Sequence, residues 1–225
     1  MDSEKSPQHQ QERSRATAQR LLSATIRVIS ESGLDAATVP KIAALAKVAP
    51  ASVYRRYHDK DALIRAAFLH ALEQSNANNR LHLKRALLKQ TLESTAVQLM
   101  KMLFGQYRQH PLLVRSLTRY LDSTDDRDFI HRIRSVMVAN VEEVVAVLLH
   151  HRDEIAQADP ERALRFALLN ATCSIEAYAL DANSLWHGFR GFSHDFLATE
   201  LAAGFVAYLS HPPGRARPKR SKSRH

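Results

Sequence analysis

The stretch from Thr38 to Lys60, TVPKIAALAKVAPASVYRRYHDK, leaves the chain few conformational choices. Pro40 and Pro50 are unsuited to a helix interior, yet each fits a first turn, where a missing N–H costs little. Two short helices joined by a tight turn are predicted, with Thr38 supplying a capping oxygen to the first. Ile42, Ala43 and Ala46 recur at helical spacing and give that helix one apolar stripe. In the second, from Pro50 to Tyr57, Val53 and Tyr57 lie four apart and are assigned to the core. Ala51, Ser52, Arg55 and His58 then point outward, with Tyr54 and Arg56 on the flanks. Such a face suits a major groove: small residues permit close approach, and long cations reach phosphates or guanine edges.

The run Ile42-Ala43-x-x-Ala46-x-Val48-x-x-x-Ser52-Val53-Tyr54-x-x-Tyr57-x-x-Lys60-x-x-Leu63 resembles the DNA-binding signature of the TetR family of bacterial transcriptional regulators. The resemblance covers about the first third of the chain. It implies that Thr38, Lys47, Pro50, Ala51, Ser52, Tyr54, Arg55, Arg56, His58 and Lys60 face DNA. Lys60 and Tyr54 match phosphate contacts, and Tyr57 matches a core residue whose hydroxyl stays near the surface. Arg55 and Arg56 are the candidates for base reading, because a guanidinium matches guanine O6 and N7 bidentately. The chain departs from the family's pattern twice. Lys47 stands where Gly is usual in the turn, and a lysine held in the left-handed region costs roughly 1–2 kcal/mol. Ala49 stands where Ser is usual before the second helix, so a capping oxygen is missing there.

The 225 residues are enough for a small domain plus a medium one, and with few glycines and no sustained strand-like alternation an all-α fold is expected. The net charge of +9 is carried largely by the C-terminus. His211 to His225 hold six Lys or Arg and no acid, and the rest has 26 basic against 23 acidic residues. Charge therefore permits nucleic-acid binding without arguing for it, and the helix–turn–helix carries that expectation. A single cysteine, Cys173, excludes an internal disulfide. The N-terminus lacks an apolar signal segment and no apolar run reaches membrane-spanning length, so a cytoplasmic location with no membrane partner is expected.

Four segments are expected: a disordered N-terminus (1–12), a three-helix DNA-binding domain (13–60), a larger helical ligand-binding and dimerisation domain (61–210), and a basic disordered tail (211–225). The first helix runs from about Arg13 to Ser32, ended by Gly33. A fourth starts at Asp59–Lys60, and a long amphipathic helix is predicted from Leu81 to Phe104. Gly105 and Pro111 bracket a break before a short element, Leu112 to Tyr120. Asp125–Asp126 opens a helix reaching about His150, and Asp159-Pro160-Glu161 starts another. The last runs from about Ser193 to Leu209. Ala167, Ala171, Ser174 and Ala177 on one of these last two, and Ala198, Ala202 and Gly204 on the other, are small enough for close helix approach. In the family these final helices form the dimer interface, which the resemblance extends to this chain; ordinary internal packing serves such residues equally well.

A pocket in the second domain suited to a small, mainly apolar effector is expected to draw on Met100, Phe104, Tyr107, Tyr120, Phe129, Met137, Phe166, Asn170 and Trp186, although core filling explains each of them as well. The resemblance implies a homodimeric repressor released from a palindromic operator by that ligand. The competing readings are a transcriptional activator, and a helical carrier or enzyme with a degenerate head. No catalytic constellation supports an enzyme, and neither cofactor nor metal is expected. His150-His151 near Asp153 and Glu154 read as solvated surface, and Cys173 as a small core residue.

Overall fold

Helix caps and prolines punctuate this chain more sharply than its apolar pattern does. The computed structural model describes residues 7–86, 91–181 and 183–211, which contain helices, turns and no strand. The basic tail beyond His211 and the first six residues of the expected disordered N-terminus lie outside the described residues.

Helix α1 (Pro7–Ser32) begins before Arg13, so residues 7–12 are helical rather than disordered. Its buried stripe is Leu21, Ala24, Thr25, Val28 and Ile29. The β-branched Thr25 is tolerated there because its hydroxyl donates to the Leu21 carbonyl at 2.8 Å. Gly33 ends α1 with φ +79°, its N–H bonded to the Ile29 carbonyl at 2.9 Å. Helices α2 (Val39–Leu45) and α3 (Pro50–Tyr54) follow, then the long α4 (Lys60–Ala86).

The single helix expected from Leu81 to Phe104 is two. Helix α4 runs to Ala86 and α5 (Leu92–Gln109) starts afresh, capped by Thr91, whose hydroxyl accepts the Ser94 N–H at 3.3 Å. Residues 87–90 lie outside the described residues. Gly105 sits inside α5 rather than at a break; the break falls at His110, and Pro111 opens α6 (Pro111–Ser123). Asp126 caps α7 (Arg127–Leu148), accepting from the Phe129 N–H at 2.9 Å. A short 3-10 segment (Leu149–Glu154) follows, then α8 (Pro160–Ala179) capped by Asp159, a second 3-10 turn (Leu185–Gly188), and α9 (His194–Ser210) capped by Ser193. Among the described residues no helix is long and apolar enough to cross a membrane.

Two apolar cores result, and the first ignores the expected boundary at residue 60. Leu21, Val28, Ile29, Ile42, Ala43 and Val53 share it with Leu63, Ile64 and Phe68 of α4, Tyr120 of α6, and Phe129 and Ile133 of α7. The rings of Phe68 and Tyr120 lie 5.7 Å apart, those of Tyr120 and Phe129 5.6 Å apart. Three helices thereby plug into the base of the N-terminal unit. The second core joins α5, the end of α7, α8 and α9 through residues such as Leu99, Met100, Phe104, Leu148, Leu164 and Phe205.

Half of the small-residue stripe on the last two helices faces inward. Ala167, Ala171, Ala198 and Ala202 are buried in the second core, where they let α8 and α9 approach their neighbours closely. Ser174, Ala177 and Gly204 are exposed, on an outer side that also carries Phe166, Leu169 and Tyr208. Two other readings are reversed. Cys173 is exposed. His151 is buried: its Nε2 lies 3.1 Å from the Thr95 hydroxyl and its Nδ1 3.0 Å from Glu154, whose carboxylate also accepts the Leu92 N–H. This network ties the start of α5 to the segment after α7.

Candidate nucleic-acid interface

The turn between α2 and α3 is built on a left-handed residue. Ala46 ends α2, and Lys47 adopts φ 55°. The Val48 N–H reaches back to the Ala43 carbonyl at 3.0 Å and the Lys47 N–H to Ala44 at 3.1 Å. These are the two bonds of a Schellman motif, which satisfies carbonyls that α2 would otherwise leave open. The motif demands positive φ at Lys47, so the departure from Gly leaves the shape of the turn intact and stores strain in it. Thr38 and Ala49 occupy the N-cap positions of α2 and α3 with extended backbones, and neither side chain caps. The Thr38 hydroxyl is thus an exposed group rather than the cap its position suggests.

Helix α3 is shorter than expected, ending at Tyr54, although N–H groups of Arg55 and Tyr57 still bond to Ala51 and Val53 at 3.2 and 2.9 Å. Val53 is fully buried and Tyr57 is half-buried against the first core, where loss of water pushes its phenol pKa up, against the opposing field of Arg56. On the other side Ala51, Tyr54, Arg55, Arg56 and His58 are exposed and Ser52 is partly so. Pro50 and Lys47 are exposed as well, at the head of the helix. The ten candidate DNA contacts therefore share one surface of the head.

Three details of this surface escaped the sequence. Arg55 donates to Ser52 at 2.8 Å, which braces its guanidinium along α3. Arg56 donates to Ser14 of α1 at 2.8 Å, 42 residues away in sequence. The N-terminus of α4, where Lys60 sits, is already capped by Asp59, whose carboxylate accepts the Ala62 N–H at 2.6 Å and lies 3.3 Å from His58. That backbone bond, then His58, holds the Asp59 carboxyl below its ordinary range. A phosphate arriving here meets Lys60 and His58 beside an anion, so the free helix terminus expected from sequence is partly neutralised.

The nine candidate pocket residues do not converge. Met100, Phe104 and Tyr107 lie in or against the second core, and burial pushes the Tyr107 phenol up to about 12. Tyr120 and Phe129 belong to the first core, at the junction with the head. Met137, Phe166, Asn170 and Trp186 are exposed. Aromatic residues in an amphipathic helix fill whichever side the fold requires, and spacing alone does not say which core they enter. A cleft of ≈ 420 Å³ does open at the junction of α1, α4 and α7, lined by Leu22, Arg65, Leu69, His70, Phe129 and Arg132 among others; of the nine it includes Phe129.

A short helix with a buried back and a cationic front, set beside a second short helix across a tight turn, is a helix–turn–helix head; here it sits on a larger helical body. Residues 21–67 match the bacterial regulatory proteins of the tetR family. An uncharacterized HTH-type transcriptional regulator of Mycobacterium bovis is 43% identical over 54 residues, which are 24% of this chain and 27% of that protein. The matched stretch thus spans about a quarter of the length of this curated relative. The fold extends the likeness further. A TetR-family regulator from Mesorhizobium loti superposes with a TM-score of 0.68 at 17% identity, covering 87% of this chain and 97% of that one. The transcriptional regulator FadR from Bacillus subtilis, in complex with stearoyl-CoA, gives a TM-score of 0.62 at 16% identity over 84% of this chain and 98% of that one. The chain belongs to the tetR family of bacterial regulatory proteins.

Proposed function

We propose that this protein is a transcriptional regulator of the ligand-released type: a homodimeric repressor that sets α3 of each subunit into a major groove of a palindromic operator. The observation that carries the reading is the split of α3, with Val53 fully buried and Arg55, Arg56 and Tyr54 exposed on the opposite side. In this reading Ala51 and Ser52 allow close approach, Arg55 and Arg56 read base edges, and Thr38, Lys47, Tyr54, His58 and Lys60 hold phosphates. Pro50 starts the helix at the groove.

Dimerisation is assigned to the outer side of α8 and α9. Phe166 and Tyr208, 5.3 Å apart ring to ring, stand there with Leu169 and Gly204, apolar area that a second copy would remove from water. The effector is a small, mainly apolar molecule, consistent with the apolar second core and with the acyl-CoA bound by the B. subtilis neighbour. Coupling to the head runs through the Phe68–Tyr120–Phe129 rings and through Arg65, which bridges to Asp126 at 3.3 Å and donates to the Tyr120 hydroxyl. A ligand releases DNA only by binding the non-binding spacing of the two heads more tightly than the binding one.

The test is selection of a duplex from a random library by the full chain, followed by affinity measurements on Arg55→Ala and Arg56→Ala. Each substitution should cost about 1–3 kcal/mol and relax preference at its own base pair. Selection of no duplex, or unaltered affinity in both variants, would overturn the reading.

A further inference from the structure

The first turns of α1 stand clear of the core. Leu21 is the first fully buried residue of that helix, whereas Gln11, Glu12, Arg13, Ser14, Arg15 and Ala16 are all exposed. Residues 7–16 therefore form about 15 Å of helix with little packed beneath it. A helix end of that length gains little stability from propensity alone.

One contact fixes where this stretch lies. The Arg56 guanidinium donates to the Ser14 hydroxyl at 2.8 Å, so α1 passes beside the end of α3 and prolongs its cationic surface. The side chains suit the same partner. Stepping back from Leu21 by helical spacing, the side facing α3 carries Thr17, Ser14 and Gln11, which hydrogen-bond and offer no apolar dock. Arg13 and Arg15 lie about 100° to either side of Ser14 along the helix wheel, against Glu12 as the one acid in residues 7–20. A polar strip flanked by two long cations, continuous with an arginine-bearing helix, matches a phosphodiester backbone in both charge and hydrogen bonding.

We propose that the exposed start of α1 is a second DNA-contacting element. Arg13 and Arg15 grip phosphates beside the groove that α3 enters, and Ser14 positions Arg56 at the junction of the two helices. This rests on the regulator reading above. Both arginine side chains are exposed, so truncating them spares the core.

The experiment uses the full chain on the duplex it selects, with affinity measured over a range of salt concentrations. In the Arg13→Ala, Arg15→Ala double variant the slope of log affinity against log salt should become shallower by about 1.8, at about 0.9 per phosphate contact. Affinity should fall by the same factor on the selected duplex and on a scrambled one, because phosphate contacts carry no sequence information. Lysine at both positions should restore the slope. If the unmodified protein selects no duplex, the regulator reading fails and this inference with it. Tight selection by the unmodified protein with an unchanged slope in the alanine variant overturns this inference alone.

Discussion

Replacing Lys47 by glycine should make the protein more stable although it removes a side chain and adds no contact. The Schellman motif that closes α2 needs a left-handed residue, and Lys47 meets that need at φ 55°. For an L-residue with a Cβ this conformation costs roughly 1–2 kcal/mol. Glycine adopts it freely but loses roughly 0.5–1 kcal/mol more backbone entropy on folding. The lysine side chain is exposed, so little packing is forfeited. The net expectation is a gain of about 0.5–1 kcal/mol, or about 1–4 °C in thermal midpoint for a chain of this size. Far-UV circular dichroism with heat and with urea gives the comparison. Lys47→Ala is the control, since alanine keeps the strain while removing the charge, and it should match the parent. A glycine variant no more stable than the alanine one would refute the strain argument. If Lys47 also touches a phosphate, both variants should lose about 0.9 from the salt slope of DNA binding.

Other substitutions probe other joints of the structure. Ala49→Ser should stabilise by roughly 0.5–2 kcal/mol, because the extended N-cap of α3 lacks a side-chain acceptor and the Ser52 N–H bonds only the Ala49 carbonyl, at 2.8 Å; an unchanged or lower thermal midpoint would contradict this. Glu154→Ala should destabilise by about 1–3 kcal/mol in urea titrations, since it strips the acceptor from the Leu92 N–H and the partner from buried His151, and Glu154→Gln should recover part of the loss. His194 packs against the edges of Phe104 and Tyr178, and burial, aided by Arg108, holds its imidazole below the usual range. A depressed folded pKa means that its contribution is full above about 6.5 and is lost as pH falls below that value. His194→Phe should therefore flatten the acid side of the stability–pH curve, and a curve parallel to the parent's would count against the assignment.

What the sequence disclosed depended on the range of the interactions involved. Caps and turns act within four residues, so Gly33, Asp126, Asp159, Ser193 and the strained Lys47 were all legible, as was the burial of Val53 opposite the arginines. The break between α4 and α5 was not, because Thr91 lies in apolar spacing that looks continuous across it. Distant partners were hidden altogether. His151 looked like a solvated histidine until Thr95, 56 residues earlier, supplied the hydroxyl beside it. Arg56 gave no hint of Ser14. The pocket residues scattered for a related reason: an aromatic at helical spacing shows only that one side of a helix is apolar, and Tyr120 and Met137 show that the side can face another core or water.

The central claim concerns which side of α3 meets the duplex, and a photo-crosslinking amino acid at position 51 tests it most directly. On the duplex selected by the full chain, residue 51 should crosslink to major-groove bases at two positions related by the operator's two-fold axis. A duplex that is bound tightly but crosslinks only from the helical body, or a residue 51 that crosslinks to its own chain, would contradict the account.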